Sequence, residues 1–568
     1  MHIFRRVEWM RPVRQSVRFG SPSLHLGNCS VARVSLCASA ASRGATSNRH
    51  YHTARTMVLV TDVLVLAALG GVATLLALFL QKYWHFRKLE LAIPGPPSLP
   101  LLGNTMDFVN ATPDTVLKTV RRLTGGIGGQ HKLSRFSLMN HLVVFVNTAE
   151  GVECLVRHPD FKSKAQFAYH LLDNRLSLLQ LVGAEWRARR KALELGFNKN
   201  VLNSFMETFN EEAKGFVDRV VTGMPVDVTE PLREAISRNF LQTSMSTNME
   251  QEARPYMDFL EQFLRTSNQR AFNPLLWSDR LFYMTPSGKK VLKMKTGVHA
   301  LISRGLAQKK KEARCRDSEH RDRARRVLAD ILLDLHDRGD ISEDVVIDEV
   351  KTFFSATVET TVSTLSSALK VLSMYPEVQE RVFSEVDAVL GDRDVTTEDL
   401  PRMKYLDCVV KEVLRMFPAL PLVGRQSPRE TELCGHVIPA YSTVILNLQG
   451  VHFDPRHWRD PHVFDPDRFL PENSQGRHRC AFVPFSIGSR NCIGGKYAMM
   501  VATTFLAVVV RAYRVLPVRD HEDIQSLLDN LAFDLASRLV GGTRVVFQPR
   551  GRGSGFAAAS HSSQEYKL

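Results

Sequence analysis

One loop, Phe485-Ser486-Ile487-Gly488-Ser489-Arg490-Asn491-Cys492-Ile493-Gly494-Gly495, places a single cysteine at the start of a predicted helix. A thiolate must be held deprotonated, and the positive end of a helix dipole lowers a thiol pKa. Arg490 would lower it further. Gly488 and Gly494 would let the backbone approach a flat ligand where a side chain would collide. The stretch predicts a thiolate site, and the alternative is that Cys492 is a buried free cysteine.

These positions follow the pattern F-x-x-G-x-R-x-C-x-G, which resembles the haem-binding loop of cytochromes P450. The resemblance implies that Cys492 is the axial ligand of a haem iron. It places Phe485, Gly488, Arg490 and Gly494 around the cofactor. It also implies the fold class: mainly α with a small β-sheet region, preceded by one N-terminal transmembrane helix.

Composition and charge argue against a disulfide-stabilised protein, a structural zinc protein and a nucleic-acid-binding protein. The chain has 568 residues, 44% hydrophobic, so it can bury a large core. Its eight cysteines are scattered without a C-x-x-C pair, which argues against a disulfide framework or a structural zinc site. The net charge of +15 is concentrated in residues 1–56, where nine arginines and one acid, Glu8, give +8. The rest of the chain carries only +7, so no nucleic-acid partner is predicted.

The N-terminal region carries two competing targeting signals. Residues 1–56 are rich in arginine and resemble a mitochondrial transit peptide, so they are a targeting segment or a mispredicted extension. Residues 57–82 are predicted to be a transmembrane anchor, because residues 63–80 are almost all small or apolar and just long enough to span a bilayer. A start at Met57 would place the catalytic domain in the cytosol at the endoplasmic reticulum membrane. Import by the leader would place it in the mitochondrion.

Residues 83–104 are predicted to be a linker with a proline-rich hinge, Pro94-Gly95-Pro96-Pro97, because proline stops a helix. A similar hinge follows the anchor in microsomal cytochromes P450, and the resemblance predicts a catalytic domain over residues 105–550. Residues 551–568 are predicted to be a disordered tail. Helical periodicity covers most of the domain, and β-branched runs predict strands at residues 142–146, 444–448 and 544–547.

A basic helix precedes the middle of the domain. Trp186 and Arg190 are four residues apart and therefore share one helix face. They match the family's W-x-x-x-R pair, so the resemblance implies that they hold a haem propionate, together with Arg425. Arg187 and Lys191 form a neighbouring basic face. The resemblance implies that this face receives an acidic flavoprotein electron donor, and a solvated helix face is the alternative.

A long helix is predicted from an N-cap at Ser342 to about Met374, with local distortion near its middle, where β-branched residues cluster. There Ala356-Thr357-Val358-Glu359-Thr360-Thr361 aligns with the oxygen-activating A-G-x-[D/E]-T-T of the family. The resemblance implies that Glu359 and Thr360 relay protons.

Two positions in this helix depart from the family. Thr357 replaces the glycine that opens a groove for oxygen. Ala356 stands where many members of the fatty-acid ω-hydroxylase branch, family 4, carry a glutamate esterified to the haem. Alanine cannot form that ester, so haem b is expected to be held non-covalently. The resemblance to this branch rests on residues 277–281, 405–412 and 471–478.

A third group of residues is predicted to support the fold. Glu412 and Arg415 are three residues apart on one helix face and match the family's E-x-x-R. About fifty residues later, Phe464-Asp465-Pro466-Asp467-Arg468-Phe469 matches F-x-P-x-R-F. These motifs predict a buried charge network of Glu412, Arg415 and Arg468.

The resemblance implies a haem-thiolate monooxygenase that inserts one atom of O2 into an apolar substrate, either a fatty acid or other lipid, or a xenobiotic. NADPH-cytochrome P450 reductase would supply the electrons, with cytochrome b5 as a possible second partner. Two alternatives stay open. One is an isomerase or dehydratase of lipid hydroperoxides on the same fold, supported only by Thr357. The other is a catalytically silent haem-binding protein.

Overall fold

The structure is a computed structural model that divides into two compact units, Met1–Leu80 and Gln81–Leu568. Most of the predicted leader, and the predicted tail from residue 552, lie outside the described residues. The described residues are 47–126, 131–171, 175–245, 250–315, 326–519, 522–534 and 536–551.

Helices account for most of the described chain, and the strands are short. The helices are α1 (Ser47–Leu91), α2 (Pro113–Thr124), α3 (Ala149–Arg157), α4 (Gln166–Tyr169), α5 (Gly183–Leu193), α6 (Lys199–Asn203), α7 (Met206–Arg219), α8 (Thr229–Phe240), α9 (Glu250–Phe272), α10 (Asp279–Met284), α11 (Pro286–Cys315), α12 (Leu328–Asp337), α13 (Glu343–Met374), α14 (Pro376–Leu390), α15 (Lys404–Met416), α16 (Leu448–His452), α17 (Pro471–Ser474), α18 (Gly495–Ala512) and α19 (Ile524–Asp529). The strands are β1 (Leu133–Leu138), β2 (His141–Val146), β3 (Pro225–Asp227), β4 (Leu422–Arg425), β5 (Thr431–Leu433), β6 (His436–Ile438), β7 (Thr443–Asn447), β8 (Tyr513–Leu516), β9 (Leu531–Phe533), β10 (Ser537–Leu539) and β11 (Arg544–Pro549). This mainly α architecture with small sheets is the predicted fold class.

Two helices in the described part of the chain are long and apolar enough to cross a membrane. The span Leu59–Leu91 within α1 has a mean hydropathy of 2.7 and a fully exposed apolar window. The other, α18, has a mean hydropathy of 1.3 and is 67% buried, as expected of a core helix. The span in α1 is therefore the candidate membrane anchor. It extends past the predicted end of the anchor at residue 82.

The proline-rich hinge is held by one arginine of β1. The Arg135 backbone N–H donates to the carbonyl of Pro94 at 2.9 Å, and its guanidinium donates to the carbonyls of Ile93 and Pro96. A Cβ at Gly95 would lie 2.5 Å from the Arg135 carbonyl oxygen, so glycine is required there. Because Arg135 is 3% exposed, these contacts fix the direction in which the chain enters the domain.

The predicted strands at 142–146 and 444–448 correspond to β2 and β7, which pair in parallel within a four-stranded sheet of order β1-β2-β7-β4. The strand predicted at 544–547 is β11. It pairs with β3 and β8 in a separate three-stranded sheet. The β-branched runs predicted these strands but did not assign them to sheets, because pairing between distant strands depends on the rest of the fold.

The helix α13 runs through the core and packs against α8, α15 and α18. Its bounds agree with the prediction, although the Ser342 side chain makes no capping hydrogen bond. With 32 residues it is about 48 Å long at 1.5 Å per residue. The helix is continuous through the region where distortion was predicted. There the Thr360 hydroxyl donates to the carbonyl of Ala356 at 2.6 Å, which satisfies a polar group within the helix.

Candidate active site

A cavity of about 530 Å³ lies within the domain. Its walls come from α5, α9, α13, β4 and the loop that ends at Cys492. Most of its lining is apolar or aromatic, which suits an apolar small molecule. Representative lining residues are Phe136, Phe145, Phe240, Phe259, Phe272 and Leu422.

Backbone hydrogen bonds shape the loop that presents Cys492. The Cys492 N–H donates to the carbonyl of Phe485 at 2.9 Å, and the Asn491 N–H donates to that of Gly488 at 3.1 Å. Gly488 has a φ of +82°, which glycine adopts without strain. Gly494 differs, because a Cβ there would make only an ordinary 3.9 Å contact with Phe197. The protein itself leaves room for a side chain at Gly494, which lines the cavity.

The Cys492 thiol lines the same cavity and is open to it, although it lies deep inside the domain. The sequence predicted a lowered pKa, and this is wrong for the structure: burial raises the pKa of Cys492 above its ordinary value. The Gly494 N–H and the charges of Arg190 and Lys164 oppose the effect of burial. A metal ion would reverse the balance, because a coordinated thiol is deprotonated outright.

Arg490 does not act on the thiol as predicted. Its guanidinium donates to the backbone carbonyls of Lys162 at 3.0 Å and Leu178 at 3.4 Å, and also to that of Leu181. It lies over the Trp186 ring at 4.2 Å from the centroid. Burial and the charges of neighbouring arginines lower the pKa of Arg490 to about 10.

Trp186 and Arg190, both from α5, line the cavity close to Arg490. The Arg190 guanidinium donates to the carbonyl and the side-chain oxygen of Asn491, at 2.9 and 3.1 Å, and pairs with Glu194 at 2.6 Å. The structure therefore brings Trp186, Arg190 and Arg490 together around the loop of Cys492.

Arg425 lies at the end of β4, behind the cavity wall. It is 3% exposed and donates to the Ser486 hydroxyl at 3.2 Å. Burial lowers its pKa. Its neighbours Gly424 and Ser486 line the cavity, whereas Arg425 itself does not reach the lining.

Sequence reasoning missed Lys164, which lines the cavity and lies over the Tyr169 ring at 5.2 Å from the centroid. Burial, followed by the charges of Arg425 and Arg490, sets the pKa of Lys164 well below 10.5. A lone lysine in a loop carries no sequence signal for this position. Within the described part of the chain, no carboxylate forms an ion pair with Lys164, Arg425 or Arg490.

The two residues predicted to relay protons point to different surroundings. Thr360 lines the cavity, but the Glu359 side chain pairs with Arg233 of α8 at 3.2 Å and lies outside the lining. Consecutive residues on a helix do not face the same direction. Burial raises the pKa of Glu359, and the charge of Arg233 opposes this. Arg233 is 126 positions away from Glu359 in sequence and was not predicted.

The three residues of the predicted charge network lie together in the structure. Arg415 donates to both oxygens of Glu412 at 2.7 and 2.8 Å, and both side chains are fully buried. The Arg468 guanidinium lies 3.4 Å from Glu412. The Asp465 N–H donates to Glu412 at 3.0 Å. Because Glu412 compensates two arginines in the interior, it is the central member of the network.

Comparisons with known proteins agree with these features. The sequence profile of the family described as "Cytochrome P450" matches residues 93–535. The chain is 32% identical to "Probable cytochrome P450 4ac1" of Drosophila melanogaster over 449 residues, 77% of this chain and 87% of that protein. It is also 32% identical to "Cytochrome P450 4V2" of Rattus norvegicus over 428 residues, 72% of this chain and 80% of that protein.

A solved structure shows the same fold. The retinoic acid-bound cyanobacterial CYP120A1 superposes with a TM-score of 0.67 over 81% of this chain and 100% of that chain, at 22% sequence identity. The profile match covers most of the described domain and includes all five motifs, at residues 186–190, 356–361, 412–415, 464–469 and 485–494. The chain therefore belongs to the cytochrome P450 family, with relatives in its family-4 branch, and is a cytochrome P450 monooxygenase.

Proposed function

We propose that this monooxygenase uses a haem ligated by Cys492 to insert one atom of O2 into a fatty acid or another lipid. Xenobiotics are the second substrate class. The observation that carries the proposal is that Cys492, Thr360 and a mainly apolar lining with many aromatic side chains share one cavity. An aromatic lining of this kind holds an alkyl chain by apolar contact and excludes water.

Membership of the family implies a haem cofactor, and the residues at the Cys492 end of the cavity fit one. Cys492 supplies the thiol, and Trp186, Arg190, Arg490 and Lys164 line the same space. Buried cations are costly unless an anion compensates them. The propionates of a haem would supply that charge. The room beside Gly494, where a side chain would meet only Phe197 at 3.9 Å, fits a flat ligand as well.

The haem is expected to be held non-covalently. Ala356 lines the cavity on α13, and its methyl group cannot form an ester. Acid–acetone extraction should therefore transfer essentially all the haem from the protein to the solvent. Absorbance of the extract, compared with the haem content before extraction, measures this. Haem that stays with the protein would contradict the expectation.

Bound haem supplies the redox chemistry of oxygen activation, and a thiolate ligand favours O–O cleavage. The residues of the chain would supply the protons. Thr360 presents its hydroxyl oxygen to the cavity, while its proton is donated to Ala356. Burial raises the pKa of Glu359, whereas the ion pair with Arg233 opposes this rise and favours the charged form. Release of Glu359 from Arg233 would let it pass a proton towards Thr360.

Reconstitution with NADPH-cytochrome P450 reductase tests the proposed reaction. We expect NADPH consumption that depends on the lipid substrate, a hydroxylated product, and a carbon monoxide difference spectrum with the thiolate band. Turnover of a lipid hydroperoxide without NADPH would instead favour an isomerase or dehydratase. A difference spectrum that lacks the thiolate band would indicate a silent haem-binding protein.

The proposed location is the endoplasmic reticulum membrane, with the catalytic domain facing the cytosol. The mitochondrion is the alternative location. The apolar span of α1 supports membrane attachment. Exposed Arg187 and Lys191, next to the haem-site residues of α5, suit an acidic flavoprotein such as the reductase, with cytochrome b5 as a further partner. Sequencing the mature N-terminus separates the two locations. A start at Met57 would support the endoplasmic reticulum, whereas cleavage within residues 1–56 would support mitochondrial import.

A further inference from the structure

A row of six hydroxyl-bearing residues of α13 lines the cavity with one or more of their atoms: Thr352, Ser355, Thr357, Thr360, Thr361 and Thr364. In a helix such a hydroxyl commonly donates to the carbonyl four residues earlier. Four members of the row do so: Thr352 to Asp348 at 2.7 Å, Ser355 to Lys351 at 2.8 Å, Thr360 to Ala356 at 2.6 Å and Thr364 to Thr360 at 2.9 Å. Their protons are committed to the helix itself.

The two remaining hydroxyls differ in their surroundings. Thr361 is 3% exposed, and its hydroxyl oxygen is sealed inside the protein without a partner. Thr357 is half-buried and lines the cavity. Among the described residues its hydroxyl has no hydrogen-bond partner. Thr357 is thus the member of the row whose proton is both uncommitted and accessible from the cavity.

Thr357 and Thr360 are three residues apart and share one face of α13. Because the Thr360 proton is committed to Ala356, Thr360 offers the cavity lone pairs rather than a donor. The Thr357 hydroxyl supplies the hydrogen-bond donor that Thr360 does not offer to the cavity. A threonine here also fills, with a methyl and a hydroxyl group, the position at which the family carries glycine.

We propose that Thr357 is a further catalytic residue, whose hydroxyl donates a hydrogen bond to the diatomic ligand that the haem takes in this cavity. The inference rests on the proposed function, because it requires haem bound at Cys492. The departure at Thr357 then adds a donor to the oxygen-binding side, so it supports oxygen activation rather than hydroperoxide isomerisation.

Infrared spectroscopy of the carbon monoxide complex tests the donor directly, since a hydrogen bond to the ligand oxygen lowers the C–O stretching frequency. With the full chain, Thr357→Val keeps the side-chain shape and removes the hydroxyl, so the frequency should rise. Thr357→Ser should stay near the wild-type value. Carbon monoxide release should be about fivefold faster in Thr357→Val, the factor expected for loss of one neutral hydrogen bond.

Thr361→Val is the matched control, because it makes the same change four residues further along at a hydroxyl that is sealed from the cavity. Its frequency should equal that of the wild type. An unchanged frequency in Thr357→Val, or an equal shift in Thr361→Val, would overturn the inference. If the proposed function itself is wrong, the wild-type protein will already lack the thiolate band. That result is distinguishable from a failure of the inference about Thr357, which affects only the comparison between the wild type and the variants.

Discussion

Cys492→Ser is expected to abolish the thiolate band in the carbon monoxide difference spectrum and to lower product formation by at least about 100-fold, which corresponds to about 2.7 kcal/mol of barrier. Serine keeps the size of the side chain but removes the thiolate that favours O–O cleavage. The Cys492 backbone bond to Phe485, at 2.9 Å, does not involve the side chain, so the loop should persist. Circular dichroism at the wild-type intensity would show that the fold survives.

Cys408→Ala is the matched control for this substitution. Cys408 is a buried free cysteine of α15, and burial raises its pKa to about 11, so it carries no thiolate at neutral pH. The control should retain the thiolate band and most of the turnover. A Cys492→Ser protein with a normal band would mean that another group ligates the iron.

The second large effect is expected for Glu412→Ala, which should prevent formation of a haem-loaded domain. Glu412 accepts two hydrogen bonds from the fully buried Arg415 and one from the backbone of Asp465. Removing it leaves a buried guanidinium without its carboxylate, which typically costs about 3–5 kcal/mol. That is a large part of the roughly 5–15 kcal/mol that stabilises a native domain. Haem content per milligram of soluble protein measures the effect.

Asp467→Ala provides the comparison for an exposed ion pair. Asp467 pairs with Arg381 at 2.8 Å, and both side chains are more than 40% exposed. Solvent-exposed pairs contribute only about 0–1 kcal/mol, so this variant should load haem normally. Normal haem content in Glu412→Ala would contradict a structural role for the network. Equal losses in both variants would show that burial of Glu412 is not the cause.

Features that depend on residues close together in the sequence were predicted well. The bounds of α13 agree with two local signals, Ser342 at the N-cap position and Tyr375-Pro376 at the other end, although the Ser342 side chain makes no capping hydrogen bond. The grouping of Glu412 with Arg415 follows from a three-residue spacing on one helix face. The loop of Cys492 follows from a pattern within ten residues, whose glycine at 488 does adopt a positive φ.

Residues whose surroundings come from distant parts of the chain were not predicted. The partner of Glu359 is Arg233, on a helix far away in sequence, and it directs the carboxylate away from the cavity. Arg490 was expected to act on the thiol, yet its guanidinium is held by loop carbonyls such as that of Lys162. Lys164 lines the cavity, although no motif in the sequence indicated it.

Motif spacing and helical periodicity are local properties of the chain, so they were enough to predict the family, the loop of Cys492 and the long helix α13. The fold was needed to show which hydroxyls of α13 keep a free proton and which buried charges have no carboxylate beside them. Those outcomes depend on desolvation and on contacts between segments hundreds of residues apart. The pKa of Cys492 shows the difference: the motif suggested that it is lowered, whereas burial raises it against the opposing effect of the Gly494 N–H.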